Sequence, residues 1–293
     1  MTQIDARGQV GLVHAPATWE EASALVDAHP LNSAVAGGAT YLMWRAAHGE
    51  PMPEHLISLH RIAGHDEVAD GSVGALATLR RIERGPRTGA QRALTMAASV
   101  TAGPAVRSLA TLGGNLASGF PQADLVPALL ALDAHVHLAN GQRLSIHDVV
   151  DRGLLTSQLI ARVTHDLASE AGWTGATIKL ARRGMDLSTG LVSAVLQVDG
   201  DEIVQARVAV GSLHDRPSRL PAIESALVGA DTSAETMAEL VEVIGVKGRR
   251  FHDDDESTAE YRGRVAGPLV RRTLTLALAL GPSVTPQVGD ALA

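Results

Sequence analysis

The 293-residue chain has no cysteine, so it can form no disulfide, use no thiol nucleophile and hold no cysteine-ligated iron–sulfur cluster. That composition fits a reducing compartment, and a cytoplasmic location is expected. Aromatic residues supply only 2% of the chain against a hydrophobic share of 45%, so its cores must be built from aliphatic side chains. No apolar run reaches the roughly 18 residues of a membrane span. The opening Met1-Thr2-Gln3-Ile4-Asp5 lacks the basic and apolar parts of a secretory signal. The net charge is −7, and the arginines are scattered among acids. With no basic stripe interleaved with aromatics, nucleic acid is not an expected partner. Gly-x-Gly-x-x-Gly, the Walker lysine and Gly-x-Ser-x-Gly are all missing, and no Rossmann alternation or internal repeat is visible.

Two glycine stretches stand out: Ala36-Gly37-Gly38-Ala39-Thr40 and Thr111-Leu112-Gly113-Gly114-Asn115. Each follows a short apolar run and leads towards a helical pattern. Paired glycines permit sharp turns and close backbone approach, and free amides near a helix start suit a phosphate. Two such sites in one chain point to one extended phosphate ligand held between two loops. Each stretch alone is equally a plain turn, with Thr111 and Asn115 bonding their own backbone.

The mixed order of elements predicts an α+β protein of about two domains, divided near residue 170 into 1–170 and 171–293. Val10 to Val13, Ser33 to Ala36 and Leu56 to Leu59 read as strands, and Thr18 with Glu21 forms a capping box for a helix to about Ala28. A hairpin is expected at Asp70-Gly71 and a helix from Gln91 to Ser99. Leu125 to Leu132 reads as a helix, His135 to Leu138, Leu144 to Ile146 and Leu159 to Val163 as strands. Beyond residue 170 three strands follow, Thr177 to Ala181, Leu191 to Val198 and Ile203 to Val210. Helices at Ile223 to Val228, Glu235 to Ile244 and Glu256 to Leu280 complete the pattern.

Among single residues, Asp124 can bind sugar hydroxyls or ring amines, but its place before a helix favours an N-cap. Lys179 lies within an apolar strand and can face an anion; the plainer reading puts it on the solvent side of an edge strand. His135 and His137 share a strand face, yet the histidines form no converging set in the sequence, and no metal site is expected. The run His252-Asp253-Asp254-Asp255-Glu256 reads as acids gathered at the start of the last helix.

Taken together, these segments resemble the FAD-binding (medium) subunit of the molybdenum hydroxylases, as in carbon monoxide dehydrogenase and the xanthine dehydrogenase FAD-binding subunit. The resemblance rests on His14-Ala15-Pro16-Ala17-Thr18-Trp19-Glu20-Glu21-Ala22, Val35-Ala36-Gly37-Gly38, Ala110 to Ala117 and Pro121-Gln122-Ala123-Asp124-Leu125. Lys179-Leu180-Ala181-Arg182-Arg183, Ala259-Glu260-Tyr261-Arg262 and Leu269-Val270-Arg271-Arg272 follow in order, so it covers nearly the whole chain.

The resemblance implies an FAD-binding domain of two α+β subdomains, then a three-stranded sheet with a helical bundle. It implies that Ala34, Val35, Ala36, Gly37, Gly38, Ala39, Thr40 and Tyr41 embrace the FAD chain together with Thr111, Leu112, Gly113, Gly114 and Asn115. Thr101, Ala102 and Gly103 would line the cleft, Asp124 would contact the adenosine end, Ile160 would pack on a ring, and Lys179 would approach the isoalloxazine edge. Asp124 and Lys179 would thus mark the two ends of the ligand. Relatives carry a polar side chain where this chain has Ala39, which removes one contact. Tyr41, Trp44, Phe120 and Trp173 are the candidates to cover the ring.

The implied activity is electron transfer. A small iron–sulfur (2Fe-2S) subunit would feed electrons to FAD, and a large molybdopterin subunit would oxidise the substrate, in a dimer of heterotrimers. NAD, a quinone or oxygen would accept the electrons. No catalytic side chain is expected in this chain. A stand-alone FAD oxidoreductase and a flavin-free structural subunit are the two alternatives.

Overall fold

The computed structural model describes residues 11–282 except 88, 170 and 245–249. Three units follow one another. The first is a parallel sheet of order β1-β3-β2, with β1 at Leu12–His14, β2 at Ser33–Ala36 and β3 at His55–Ser58. Val10, expected in β1, lies outside the described residues. Helix α1 (Trp19–Ala28) starts at its capping box: Thr18 Oγ1 accepts the Glu21 amide at 3.2 Å, while Glu21 reaches back to the Ala17 amide at 2.7 Å. Its buried Ala22 and Val26 pack with Ile57, Leu59, Ile62 and Leu159. Helix α2 (Thr40–Ala47) leaves from the first glycine stretch.

The second unit is an antiparallel sheet of order β4-β5-β8-β6-β7. Its strands are β4 (Val68–Ala69), β5 (Ser72–Gly74), β6 (His135–Leu138), β7 (Arg143–Ser145) and β8 (Ile160–Thr164). Between β5 and β6 run α3 (Leu79–Glu83), α4 (Arg92–Val100), α5 (Pro104–Arg107), α6 (Leu112–Ala117) and α7 (Val126–Ala131). The strand expected through Ile146 stops one residue earlier. Ser145 caps α8 (Ile146–Arg152) by accepting the Asp148 amide at 3.0 Å, a local signal that overrides the apolar run.

The third unit has the expected strands, β9 (Trp173–Leu180), β10 (Gly190–Asp199) and β11 (Glu202–Gly211), plus a two-residue edge strand β12 (Ser218–Arg219). Helices α9 (Pro221–Leu227), α10 (Ala234–Ile244) and α11 (Ala259–Leu280) complete it. Strand β10 is apolar on both faces because both are covered. Val192, Ala194 and Leu196 join the core that contains Leu269, Val270 and Leu274 of α11; Val195 points the other way, into the core of the second unit. The third sheet is therefore a wall shared by two cores.

One buried polar pair ties β8 to α4. His165 is 6% exposed, and its Nε2 lies 2.7 Å from Gln91 Oε1. Burial lowers its pKa to about 4. The unfolded chain takes up this proton near pH 6.5, whereas the fold refuses it until about pH 4. Stability therefore falls as pH drops through that window, by about 1.4 kcal/mol per unit. Denaturant melts at pH 7 and pH 5 should show that His165→Leu loses about 2 kcal/mol less than the parent over this interval. Equal losses would show that His165 is not the group responsible.

Candidate functional site

The three units converge on a cleft of about 1580 Å³. Strand β2 delivers Gly37 and Gly38 to its edge, and Ala39 turns the chain into α2 with a left-handed φ of 56°. A Cβ on Gly38 would lie 1.7 Å from the Leu109 carbonyl oxygen, and one on Gly37 would lie 2.4 Å from Thr111 Oγ1. Glycine is needed here because the two glycine stretches press against each other. Their contact forms one continuous wall.

The two stretches differ in what they leave free. Thr111 caps α6, its Oγ1 accepting the Gly114 amide at 3.1 Å. The Leu112 amide donates to Ala77 O at 3.0 Å, Gly113 to Ala75 O at 2.8 Å and Asn115 to Thr111 O at 2.9 Å. All four amides are committed to the fold, so the second stretch is no phosphate cradle of backbone N–H groups. By contrast, the amides of Gly37, Gly38 and Ala39 donate no hydrogen bond to any described residue, and Ala39 gives α2 no side-chain cap. With no polar side chain at position 39 to cap α2, the donors of this turn stay open. What the second stretch offers instead is Asn115 Oδ1, buried and unpartnered.

Asp124 is not an N-cap. Leu125 precedes α7 in helical conformation, and no side chain caps the helix. The Asp124 carboxylate turns inward to Lys179 Nζ at 2.8 Å, and both side chains are only 5% exposed. Lys179 sits on edge strand β9, but its ammonium is buried, with a second bond of 3.3 Å to Val100 O at the end of α4. A solvent-facing lysine is thereby excluded. So is the placement of Asp124 and Lys179 at opposite ends of a ligand: they form one ion pair at one point of the cleft. Burial pushes the Asp124 carboxyl above its usual range against the pull of Lys179 and of the nearby Ser188 and Thr101 hydroxyls. Thr101 donates to Ala97 O at 2.8 Å and Ser188 is paired with Ser212, which leaves Asp124 Oδ1 buried without a hydrogen-bond partner.

Of the residues expected to hold the FAD chain, line its cleft or contact its ends, all line the cleft except Gly103, which precedes α5, and Leu112, which lies in the core. Tyr41, Trp44 and Phe120 gather on the cleft, with ring centroids 5.5–5.9 Å apart. Trp173 does not belong with them. It is 2% exposed in the core, with the Arg207 guanidinium 4.8 Å over its ring. Sequence reasoning missed the wall given by Leu154, Leu155 and Gln158, and the one given by Arg182, Met185 and Asp254 to Glu256.

The acids of that second wall do more than charge a helix end. Arg262, fully buried on α11, donates to Thr189 O at 3.0 Å, His252 O at 2.7 Å, Ser257 O at 2.9 Å and Asp254 Oδ1 at 2.6 Å. Burial would raise the Asp254 carboxyl, but Arg262 and the Glu256 and Ser257 amides hold it below its usual range. The readable signal was an arginine in register with Ala266, Leu269, Val270 and Thr273 on the buried face of one helix.

Open amides at the first glycine stretch and two orphaned buried oxygens, Asp124 Oδ1 and Asn115 Oδ1, line the same cleft, and each buried oxygen left without a partner costs roughly 1–3 kcal/mol unless a ligand completes it. Residues 6–150 match the family profile described as the FAD binding domain in molybdopterin dehydrogenase, and residues 176–277 that of the CO dehydrogenase flavoprotein C-terminal domain. The chain belongs to this flavoprotein family. Similar relatives include the nicotine 6-hydroxylase medium subunit of Paenarthrobacter nicotinovorans, 29% identical over 88% of this chain and 94% of that protein. The carbon monoxide dehydrogenase medium chain of Hydrogenophaga pseudoflava is 26% identical over 91% and 96%. The solved carbon monoxide dehydrogenase from the same organism superposes with a TM-score of 0.83 at 26% identity, over 94% of this chain and 99% of that one. The chain is thus an FAD-dependent oxidoreductase subunit of the molybdenum hydroxylase family. Both matched segments of this flavoprotein subunit contribute to the cleft, the first through its glycine stretches and the second through Lys179 and the Asp254 loop. No helix among the described residues is long and apolar enough to cross a membrane.

Proposed function

We propose that the cleft is the FAD site and that the subunit carries electrons from iron–sulfur clusters of a small partner to an external acceptor, NAD, a quinone or oxygen. When bound, FAD supplies the exchange between one-electron and two-electron chemistry. The chain's own residues bind and orient it. The amides of Gly37, Gly38 and Ala39 donate to the pyrophosphate, aided by the positive end of α2. Asp124 Oδ1 accepts a hydrogen bond from the ligand, while Lys179 fixes the carboxylate. Tyr41, Trp44 and Phe120 exclude water from the cleft. The observation that carries this reading is the set of unspent amides at the first glycine stretch, in the same cleft as the orphaned Asp124 and Asn115 oxygens. In this reading residues 1–170 and 171–293 are the two functional divisions of a cytoplasmic complex, a dimer of heterotrimers with a large molybdopterin subunit.

The purified assembly should show flavin absorbance, one FAD per chain, and a co-purifying iron–sulfur subunit. Protein without stoichiometric FAD would instead be a structural subunit. FAD-loaded chain that turns over without partners would be a stand-alone enzyme.

A further inference from the structure

The first unit brings together three histidines that sequence spacing did not connect. His14 ends β1, His55 begins β3, and His29 follows the last residue of α1. In the parallel register His14 lies opposite Ile57, two residues beyond His55, so both imidazoles leave the sheet on one face. The end of α1 sets His29 over that same face. His14 Nε2 lies 2.9 Å from His55 Nδ1, and the His29 ring stacks on His55 at 3.6 Å between centroids. All three rings are half-buried, and their candidate ligand atoms lie within 4.8 Å of one another. None of the three lines the cleft. The histidines therefore do converge, outside the cleft.

We propose that His14, His29 and His55 form a binding site for a divalent transition-metal ion, with zinc as the best-suited occupant and water as its fourth ligand. Three imidazoles, joined by no carboxylate among the described residues in a chain without cysteine, form a nitrogen donor set of the kind zinc accepts. With zinc–nitrogen bonds of about 2.0–2.1 Å, tetrahedral ligand nitrogens stand roughly 3.3 Å apart. The 2.9 Å between His14 Nε2 and His55 Nδ1 is slightly shorter than that, and the candidate ligand atoms span no more than 4.8 Å. Binding needs two adjustments. His29 turns out of its stack so that its lone pair faces the ion. Whichever of His14 and His55 donates the shared proton moves to the tautomer with that nitrogen free. A second feature favours a cation: α1 ends at this cluster with no basic residue in its last turn, so the negative pole of the helix is uncompensated. The bound ion would fasten β1, α1 and β3 to one another.

Tag-free protein carrying its FAD, titrated with zinc chloride in a calorimeter, should bind one ion per chain. His14→Gln, His29→Gln and His55→Gln should each weaken binding by at least about tenfold, the loss already typical of an outer-shell change, with flavin absorbance unchanged. The wild-type protein needs no variant for the decisive measurement. Its zinc-edge X-ray absorption spectrum should show three imidazole scatterers at about 2.0–2.1 Å. Absence of saturable binding, undiminished binding in the variants, or a spectrum without imidazole ligands would each overturn the proposal.

Discussion

Gly38→Ala should leave a folded protein that has lost nearly all of its FAD. The new methyl group would sit 1.7 Å from the Leu109 carbonyl oxygen, 2.4 Å from its carbon and 3.1 Å from the Ala110 nitrogen. These are backbone atoms, so no side chain can rotate away to make room. The two glycine stretches must separate by more than an ångström, and Thr111 with its cap moves with them. Gly37 and Gly38 themselves belong to none of the three cores, so much of the cost falls on the cleft. An affinity loss of about 3 kcal/mol or more raises the dissociation constant over a hundredfold, enough for flavin to be lost during purification. The check is the ratio of flavin to protein absorbance after gel filtration, with circular dichroism as the folding control. Gly184→Ala is the matched comparison: its Cβ meets nothing within 4 Å, and flavin content should not change. Full flavin content in Gly38→Ala would show that contact between the two stretches is not what shapes the site.

Lys179→Met should be the most destabilising single change at the cleft, by about 3–5 kcal/mol, because it strands the Asp124 carboxylate in a site that is 5% exposed. The pH dependence follows from the same contact. Lys179 is the strongest of the influences that lower the Asp124 pKa, against the burial that raises it. Without the ammonium the carboxyl rises further. A raised folded-state pKa brings stability that is present at low pH and lost as pH climbs through it. The defect should therefore be largest at neutral and alkaline pH and shrink on acidification. The double variant Asp124→Leu with Lys179→Met should recover most of the stability, since paired buried charges exchange for apolar groups at little cost. It should not recover FAD binding, because Oδ1 is gone. Denaturant midpoints and flavin content measured on both variants separate the two roles. If the double variant regained FAD, Asp124 would serve the fold alone.

Most strands and helices were legible because their signals are local. The capping box at Thr18 and Glu21, the Asp70-Gly71 turn and the apolar run of β10 each act over a few residues. Thr111 was legible too, as a residue able to bond its own backbone, and it does so as the cap of α6. Asp124 misled because helix capping is a local rule, whereas its real partner lies 55 residues further along. Lys179 misled for the complementary reason: the edge of a sheet reads as solvent until α4 is known to cover it. The unequal use of amides at the two glycine stretches depends on whether Ala75 and Ala77 happen to pass alongside, which no spacing reveals. The histidines escaped for the same cause, since His14 and His55 meet only once β1 and β3 are paired.

The anchoring of the Asp254 loop by Arg262 also bears on how the protein comes into being. The first glycine stretch leaves the ribosome early, but the Asp254 wall of the cleft is not in place until α11 has formed and its guanidinium has gathered His252, Asp254 and Ser257. The nascent N-terminal half can fold as a unit during synthesis, yet it holds only part of the cleft. With the cleft as the proposed flavin site, cofactor capture is deferred to the end of translation, and a truncated chain has no complete site with which to sequester flavin.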